Sequence, residues 1–336
     1  MREGSRIRLL IACAVLVIIA GVMPIASPYV KLLASRVLIF AVLAMSVDVL
    51  LGYTGLPSLG QAAYLGVGAY LSAILATRYQ FGLGCDFLAV MGLGMLAGAA
   101  VAAFFGIFAI RAAGVYFLII TLALGMVVWG LAYRWNSLTG GDNGINVYNR
   151  PVCGVPLRSD ITFFYVTLAL FVVMLGALYL LVHSPFGRSL VGIRESEARM
   201  RMLGYNTWLH KYVAFIIAGG CGGLAGVLWT HLTGIVSPED VFLTTSVDAL
   251  LVVVLGGPGT LIGAALGTSV VIFLREYLST LVPWWQYVLG SVYILTILYL
   301  PEGLMGLPAR LRRRRQQPAP REAVTVREAA EAESRS

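Results

Sequence analysis

This sequence contains few charged residues. Of its 336 residues, 24 are Lys or Arg and 16 are Asp or Glu, which is 12% of the chain, whereas 59% are hydrophobic. An ordinary soluble domain carries about 25% charged residues. So little charge cannot cover the surface of a soluble protein of this length, and so much hydrophobic sequence excludes a disordered chain. The composition therefore predicts a membrane protein.

Residue patterns typical of catalysis and metal binding are missing as well. The four cysteines have no CxxC spacing, and His183, His210 and His231 have no ligand spacing, so we expect no metal site. The chain has no HExxH, no G-K-[ST] and no twin intramembrane aspartates. We therefore expect no catalytic residue, no cofactor and no nucleotide site, and an intramembrane enzyme is the least supported class.

The net charge of +8 comes from clusters beside apolar runs. Arg2, Arg6 and Arg8 precede the first run, five basic residues lie between 188 and 211, and eight lie from Arg310 onward. This distribution is typical of cytoplasmic loops and does not resemble a nucleic-acid-binding patch. We expect no nucleic-acid partner, and we expect both termini to be cytoplasmic.

Uncharged runs of about 20 residues predict the spans, because a helix of that length crosses a hydrocarbon core about 30 Å thick. Eight runs qualify: 7–25, 30–51, 56–76, 87–110, 114–133, 161–183, 212–231 and 283–300. Residues 246–255 and 260–274 are shorter apolar arms around the glycines of 256–259, which favours a re-entrant hairpin, although two tilted crossings preserve the same topology. The predicted fold is an all-α polytopic transmembrane bundle with 8–10 membrane segments.

The chain divides into a transmembrane domain, 1–307, and a tail, 308–336. The tail is basic and then rich in Ala and Glu, so we expect it to be disordered in the cytoplasm and to contact anionic lipid. Cys85 and Cys153 fall in predicted outer loops, and a disulfide between them is a hypothesis. The glycine clusters are interpreted as close helix packing.

The cytoplasmic loop 184–211 contains a predicted short helix over 193–203. Glu195 and Arg199 form an i,i+4 pair, and Gly204 follows as a helix end. An ordinary solvated linker is the alternative interpretation. Ion-coupled carriers usually keep several ionisable groups inside the membrane, but the mid-span candidates here are only Asp48 and Asp248. An energy source outside the membrane domain is therefore the better hypothesis.

Five segments carry a resemblance to a known family. The sequence RESEA at 194–198, followed by Gly204, resembles the EAA-type coupling motif of ABC importer permeases. The other segments are 51–70 (LGYTGLPSLGQAAYLGVGAY), 114–125 (GVYFLIITLALG), 138–145 (LTGGDNGI) and 301–306 (PEGLMG). Together they resemble the branched-chain amino-acid importer permease family, in its M-type subunit, over about residues 30–307.

The resemblance implies a function and a set of partners. It implies an ATP-driven importer subunit in the bacterial inner membrane, with a second homologous permease, two cytoplasmic ATPases that hydrolyse the ATP, and a periplasmic binding protein that delivers branched-chain or related amino acids. The ATPase-coupling residues it implies are Arg194, Glu195, Glu197, Ala198 and Gly204. The alternative is a secondary transporter or channel for a small polar solute such as urea or a short amide.

The polar residues near the glycine-rich segment are the predicted substrate pathway. Pro57 and several glycines predict a broken helix, whose freed backbone groups can bind a zwitterion. The pathway residues are Gln61, Tyr64, Thr139, Gly140, Gly141 and Asp48. A role in helix packing or in an external turn is the alternative. The family commonly has Asn at Asp48, so this carboxylate either alters the pathway or is a tolerated acid at a helix end, and it often has His at Gln61.

Overall fold

The computed structural model describes residues 21, 23–81, 86–147, 152–153, 155–156, 159–299 and 303–306. These residues are almost entirely helical, which confirms the predicted fold class. The helices are α1 (Pro28–Asp48), α2 (Gln61–Arg78), α3 (Phe87–Ala109), α4 (Val115–Arg134), α5 (Asn136–Thr139), α6 (Asp160–His183), α7 (Pro185–Glu195), α8 (Glu197–Met202), α9 (Thr207–Thr233), α10 (Leu243–Gly256), α11 (Leu261–Leu281) and α12 (Trp285–Tyr299). A π-helix, Val49–Thr54, continues α1, and short 3-10 turns lie at Gly141–Asn143, Pro238–Val241 and Leu304–Gly306.

Three predictions fall wholly or partly outside this description. The first predicted span, 7–25, and the tail, 308–336, lie outside the described residues apart from a few positions at the end of the span. Cys85 is also outside them, so the proposed disulfide with Cys153 stays a prediction.

Seven helices of the described part of the chain are long and apolar enough to span a membrane. They are Pro28–Thr54, Phe87–Ala109, Val115–Arg134, Asp160–His183, Thr207–Thr233, Leu261–Leu281 and Trp285–Gly306. Six of them match predicted spans. The predicted span 56–76 is instead helix α2, which begins only at Gln61 because residues 55–60 are not helical.

The broken pair after α9 is present, but its second arm is longer than the sequence predicts. Helix α10 has 14 residues and α11 has 21, which is about 31 Å and enough to span a bilayer. Arg275 ends the apolar run in the sequence, yet α11 continues past it to Leu281, and the Arg275 guanidinium pairs with Asp248 on α10. Arginine is a good helix former, so the end of an apolar run is not the end of the helix.

Helices α1 and α9 form the centre of the bundle. Within the most apolar 18-residue window of each span, 83% of the residues are buried in the span that starts with α1 and 78% in α9, compared with 22% in α4. Glycines bring the backbones of the inner helices into contact, as the sequence predicts: a Cβ at Gly68 would overlap the carbonyl of Gly223, and one at Gly98 would overlap the carbonyl of Gly219. Small residues permit this close approach where lipid provides no hydrophobic drive.

The two ends of α9 define two sides of the bundle. Its first residue, Thr207, follows the 184–211 loop, and we call this the loop side. Its last residue, Thr233, lies about 40 Å away by helical rise and precedes strand β4 (Ile235–Val236), which pairs antiparallel with β1 (Ile145–Asn146). We call this the far side. Strands β2 (Val152–Cys153) and β3 (Val155–Pro156) form a second small ribbon.

Candidate functional site

The first functional region is the break between α1 and α2. Gly55, with φ +74°, ends the π-helix in a left-handed conformation, and α2 starts only at Gln61. Side chains of other helices satisfy backbone donors released by the break: Ala62 N donates to Ser246 Oγ at 2.9 Å, and Leu59 N donates to Thr121 Oγ1 at 3.1 Å. Irregular backbone inside a membrane requires partners of this kind.

Two polar side chains at the start of α2 keep unused hydrogen-bonding groups. Gln61 and Tyr64 are both completely buried. Gln61 Oε1 lies 3.3 Å from Ser46 Oγ, whereas Gln61 Nε2 and the Tyr64 hydroxyl have no partner among the described residues. A buried donor left unpaired costs about 1–3 kcal/mol. The bundle therefore retains two costly groups beside a helix N-terminus, and both are suited to an acceptor such as a carboxylate.

The surroundings of these groups are apolar. The ring of Tyr64 packs edge-on against Phe215, with ring centroids 5.8 Å apart, and lies 6.2 Å from Phe105. Phe117 packs against Phe215 from the side of α4. Gly222 of α9 faces the Tyr64 Cβ, where a side chain would be tightly crowded. The region thus places a few polar groups among aromatic side chains.

Thr139, Gly140 and Gly141 lie on the far side. The Thr139 hydroxyl donates to Ala132 O at 2.7 Å, and a Cβ on Gly141 would overlap the Asn136 side chain. Arg78, the last residue of α2, donates to Ser137 O. Since Gln61 is the first residue of α2, the turn lies about 26 Å from Gln61 along the helix. The structure does not bring these predicted pathway residues together.

Asp48 is completely buried and faces the loop side. Its Oδ1 accepts a hydrogen bond from Gly259 N at 2.7 Å, and its Oδ2 has no partner within the described residues. Asp48 is not at the end of its span, because the π-helix carries the same helical segment on to Thr54. Its hydrogen bond joins α1 to the turn between α10 and α11.

The 184–211 loop contains two helices where the sequence predicts one. The predicted helix 193–203 breaks at Ser196, which is extended, with φ −160° and ψ 100°. Ser196 Oγ caps α8 by accepting from Arg199 N at 3.4 Å. The break separates Glu195 from Arg199, so the predicted pair does not stabilise one continuous helix. Gly204 follows the last turn with φ +85°, in agreement with its predicted role as a helix end.

Glu197 fastens α8 to the start of α9. Its carboxylate is 2.6 Å from both Lys211 Nζ and Arg201 Nη2, and it accepts from the Thr207 hydroxyl at 3.1 Å. Burial alone would raise the pKa of Glu197, but the hydrogen bonds from Lys211, Arg201 and Thr207 outweigh it, and the pKa lies below its usual value. Glu197 is thus directed toward the bundle.

The opposite side of this loop is solvent-exposed and partly apolar. We define the loop surface as Glu195, Ala198, Met202, Leu203 and Gly204, all of which are exposed. Met202 and Leu203 are among the most exposed large hydrophobic residues of the described chain, at 82% and 66%. Exposed apolar side chains rimmed by charge are typical of a protein contact.

Arg194 connects the loop to motifs that are distant in the sequence. Its Nη1 donates to the Gly52 carbonyl in the π-helix. Gly52 is in turn so close to Gly259 that a Cβ would overlap the Gly259 backbone. On the neighbouring side of the same turn, a Cβ on Gly303 would overlap the Gly257 backbone. Segments 51–70, 194–198, 256–259 and 301–306 therefore meet at one place, which we call the junction.

Known proteins similar to this chain are permeases. Residues 29–298 match the family described as branched-chain amino acid transport system / permease component. The chain is 29% identical over 299 residues to the high-affinity branched-chain amino acid transport system permease protein LivM of Salmonella typhimurium, covering 82% of this chain and 69% of the relative. It is 29% identical over 141 residues to LivH of Escherichia coli, another high-affinity branched-chain amino acid transport system permease protein, covering 41% and 45%.

A further relative is named for a different solute. The autoinducer 2 import system permease protein LsrC of Salmonella choleraesuis is 28% identical over 271 residues, which cover 76% of this chain and 70% of the relative. No solved structure matches the chain significantly.

Proposed function

Because this chain belongs to the family of permease components of branched-chain amino acid transport systems, we propose that it is one of two membrane subunits of an ATP-driven importer for such amino acids. The other subunits in this proposal are a second, LivH-like permease, two cytoplasmic ATPases and a periplasmic binding protein. The similarity to both LivM and LivH supports a pair of related permeases. In this assembly the loop side faces the cytoplasm of a bacterial cell.

The buried polar groups at the start of α2 support binding of an amino acid within the membrane. The substrate carboxylate would accept from Gln61 Nε2 and from the Tyr64 hydroxyl, both of which lack a partner in the described structure. Its apolar side chain would contact the walls formed by Phe105 and Phe215. A hydrogen bond to a charged group contributes about 1.5–3 kcal/mol, so each lost bond lowers apparent affinity about 10- to 100-fold.

The test is leucine uptake into proteoliposomes that contain the complete assembly and ATP. Tyr64→Phe removes only the hydroxyl, and we expect at least a tenfold increase in the apparent KM for delivered substrate. Tyr70→Phe is the matched control, because Tyr70 is also buried in α2 and its hydroxyl also lacks a described partner, but it packs with the far-side cluster. Equal uptake by both variants would remove Tyr64 from the pathway.

The loop surface supports contact with the ATPases. We expect Glu195→Ala together with Gly204→Ala to abolish substrate-stimulated ATP hydrolysis while membrane insertion is unchanged, since Gly204 has a left-handed backbone that a larger residue strains. Unchanged stimulation in the purified assembly would reject this contact. Uphill uptake driven by an ion gradient without ATP would favour the secondary-transporter alternative instead.

The similarity to LsrC favours a second solute class. The same uptake assay therefore includes autoinducer 2, supplied with its own candidate binding protein. Competition between the two solutes for one assembly would indicate a shared pathway, and the binding protein would then set selectivity.

A further inference from the structure

Arg194 differs from Glu195, the next residue of the loop, in the direction of its side chain. It is the penultimate residue of α7, directly before the exposed Glu195, and part of its own surface is exposed. Its guanidinium nevertheless points into the bundle and donates to the Gly52 carbonyl. Its aliphatic part lies against Gly55, where a Cβ would be only 3.0 Å from Arg194 Cγ. The residue is therefore held by the π-helix, on the side of the loop that faces the bundle.

The contact of Arg194 with Gly52 continues directly to two other segments. A Cβ on Gly52 would overlap both Gly259 and the Asp48 carboxylate, so these three residues are in close contact. Gly259 N donates to Asp48 Oδ1 at 2.7 Å. A displacement of Arg194 therefore acts on the end of α1 and, through Gly259, on the start of α11.

Asp48 adds an electrostatic reason for Arg194 to stay in place. The Asp48 carboxylate is completely buried, and its Oδ2 has no hydrogen-bond partner in the described structure. Asp48 Oδ1 and Arg194 Nη1 both lie beside Gly52 and Gly259, so Arg194 places a positive charge near this carboxyl group. A nearby positive charge favours the ionised form of a carboxyl group, whereas burial disfavours it. Movement of the loop away from the bundle thus changes the energy of Asp48, a buried group where α1 meets the π-helix.

The same end of α1 also reaches the candidate substrate site. Ser46 lies two residues before Asp48, and its hydroxyl is 3.3 Å from Gln61 Oε1. A π-helix, which forms the segment between Asp48 and Gly55, is a frequent feature of functional sites in helices. The contacts therefore run from Arg194 through Gly52 to Asp48, and from Ser46 in the same last turn of α1 to Gln61.

We propose that Arg194 is a positioning residue that transmits movement of the 184–211 loop to the break between α1 and α2, and that it is not a docking residue for the ATPase. This inference rests on the proposed function, because it requires an ATPase that acts on the loop. It replaces the docking role that the family motif implies for Arg194. Glu195 and Ala198 keep that role on the loop surface.

The test measures coupling in the complete assembly with its ATPases and binding protein. Arg194→Ala is expected to retain the ATPases on co-purification but to lower the number of leucine molecules transported per ATP at least tenfold. Arg188→Ala is the matched control, because Arg188 is an exposed arginine of the same helix α7. We expect its transport ratio to stay within twofold of the unmodified chain. Loss of the ATPases on co-purification of Arg194→Ala would make Arg194 a docking residue and overturn the inference.

A second set of variants keeps the inference testable if Arg194→Ala is unstable. Arg194→Lys retains a positive charge and is expected to restore part of the transport ratio. Asp48→Asn removes the ionisable carboxyl group beside Arg194, so the loss caused by Arg194→Ala is expected to shrink from tenfold to less than threefold in that background. Equal losses in both backgrounds would refute the electrostatic link. If the unmodified assembly transports nothing, the proposed function fails instead, and the two failures are distinct.

Discussion

Removal of the negative charge at Glu197 is a sharp test of how the 184–211 loop is held. The change is Glu197→Gln, which keeps the size of the side chain and one acceptor oxygen. The side chain of Lys211, its main partner, is only 8% exposed, whereas that of Glu197 is 30% exposed. The variant therefore leaves a mostly buried ammonium group without its counter-charge.

The size of the effect follows from these exposures. Breaking a fully buried ion pair by removing one partner costs about 3–5 kcal/mol. Because Glu197 is partly exposed and Gln still accepts one hydrogen bond, we expect about 1–2 kcal/mol, which is a factor of roughly 5 to 30 in an opening equilibrium. Arg201→Gln is the control: the Arg201 side chain is 67% exposed, and an exposed pair contributes about 0.5 kcal/mol.

Hydrogen–deuterium exchange of residues 197–211 in detergent is the assay. Glu197→Gln should accelerate exchange of these amides, and Arg201→Gln should change it by a factor of about two. The pKa of Glu197 is lowered in the folded state. The stability that ionised Glu197 contributes to the fold is therefore fully present above the usual glutamate pKa and is lost as pH falls through the lowered pKa. The difference between variant and unmodified chain should therefore be constant from pH 6 to 8 and shrink in acid. Equal exchange in both variants at pH 7 would refute the reasoning.

Two further predictions concern the bundle itself. Gly68→Ala should lower the free energy of unfolding by about 1–3 kcal/mol, because the added Cβ overlaps the Gly223 backbone. Gly92→Ala is the control, because a Cβ there meets nothing within 4 Å, and it should not lower the stability. Melting temperatures in detergent compare the two variants. Ser246→Ala should cost about 1–3 kcal/mol, because the buried Ala62 N–H loses its acceptor. Ser269→Ala is the control, since Ser269 Oγ donates to Ala265 O of its own helix, and equal melting of the two serine variants would contradict this prediction.

The sequence predicts features that depend on local composition well, and it misses those that depend on distant partners. Six of the eight predicted spans and the close packing of the glycine clusters follow from hydropathy and small residues, and the structure confirms these. The length of α11 is missed because the predicted arm stops where the apolar run stops, at Arg275, whose partner Asp248 lies on another helix.

The arrangement of the candidate sites is the harder part. Ser196 precedes Glu197 as an N-cap, a signal present in the sequence, but the helical spacing of 193–203 conceals it. The distance between Thr139 and Gln61 follows only from the direction of α2. The junction could not be predicted, because its segments are separated by up to 250 residues and each contributes mostly glycine backbone.

The glycine contacts among α2, α3 and α9 limit where this membrane domain can deform. Backbones in contact at Gly68, Gly98 and Gly223 have no side chains between them that could change rotamer to absorb a shift. These three helices are therefore expected to behave as one stiff frame. Distances between spectroscopic labels on these three helices should stay constant. They therefore provide a reference for measuring movements of α1 and of the α10–α11 turn.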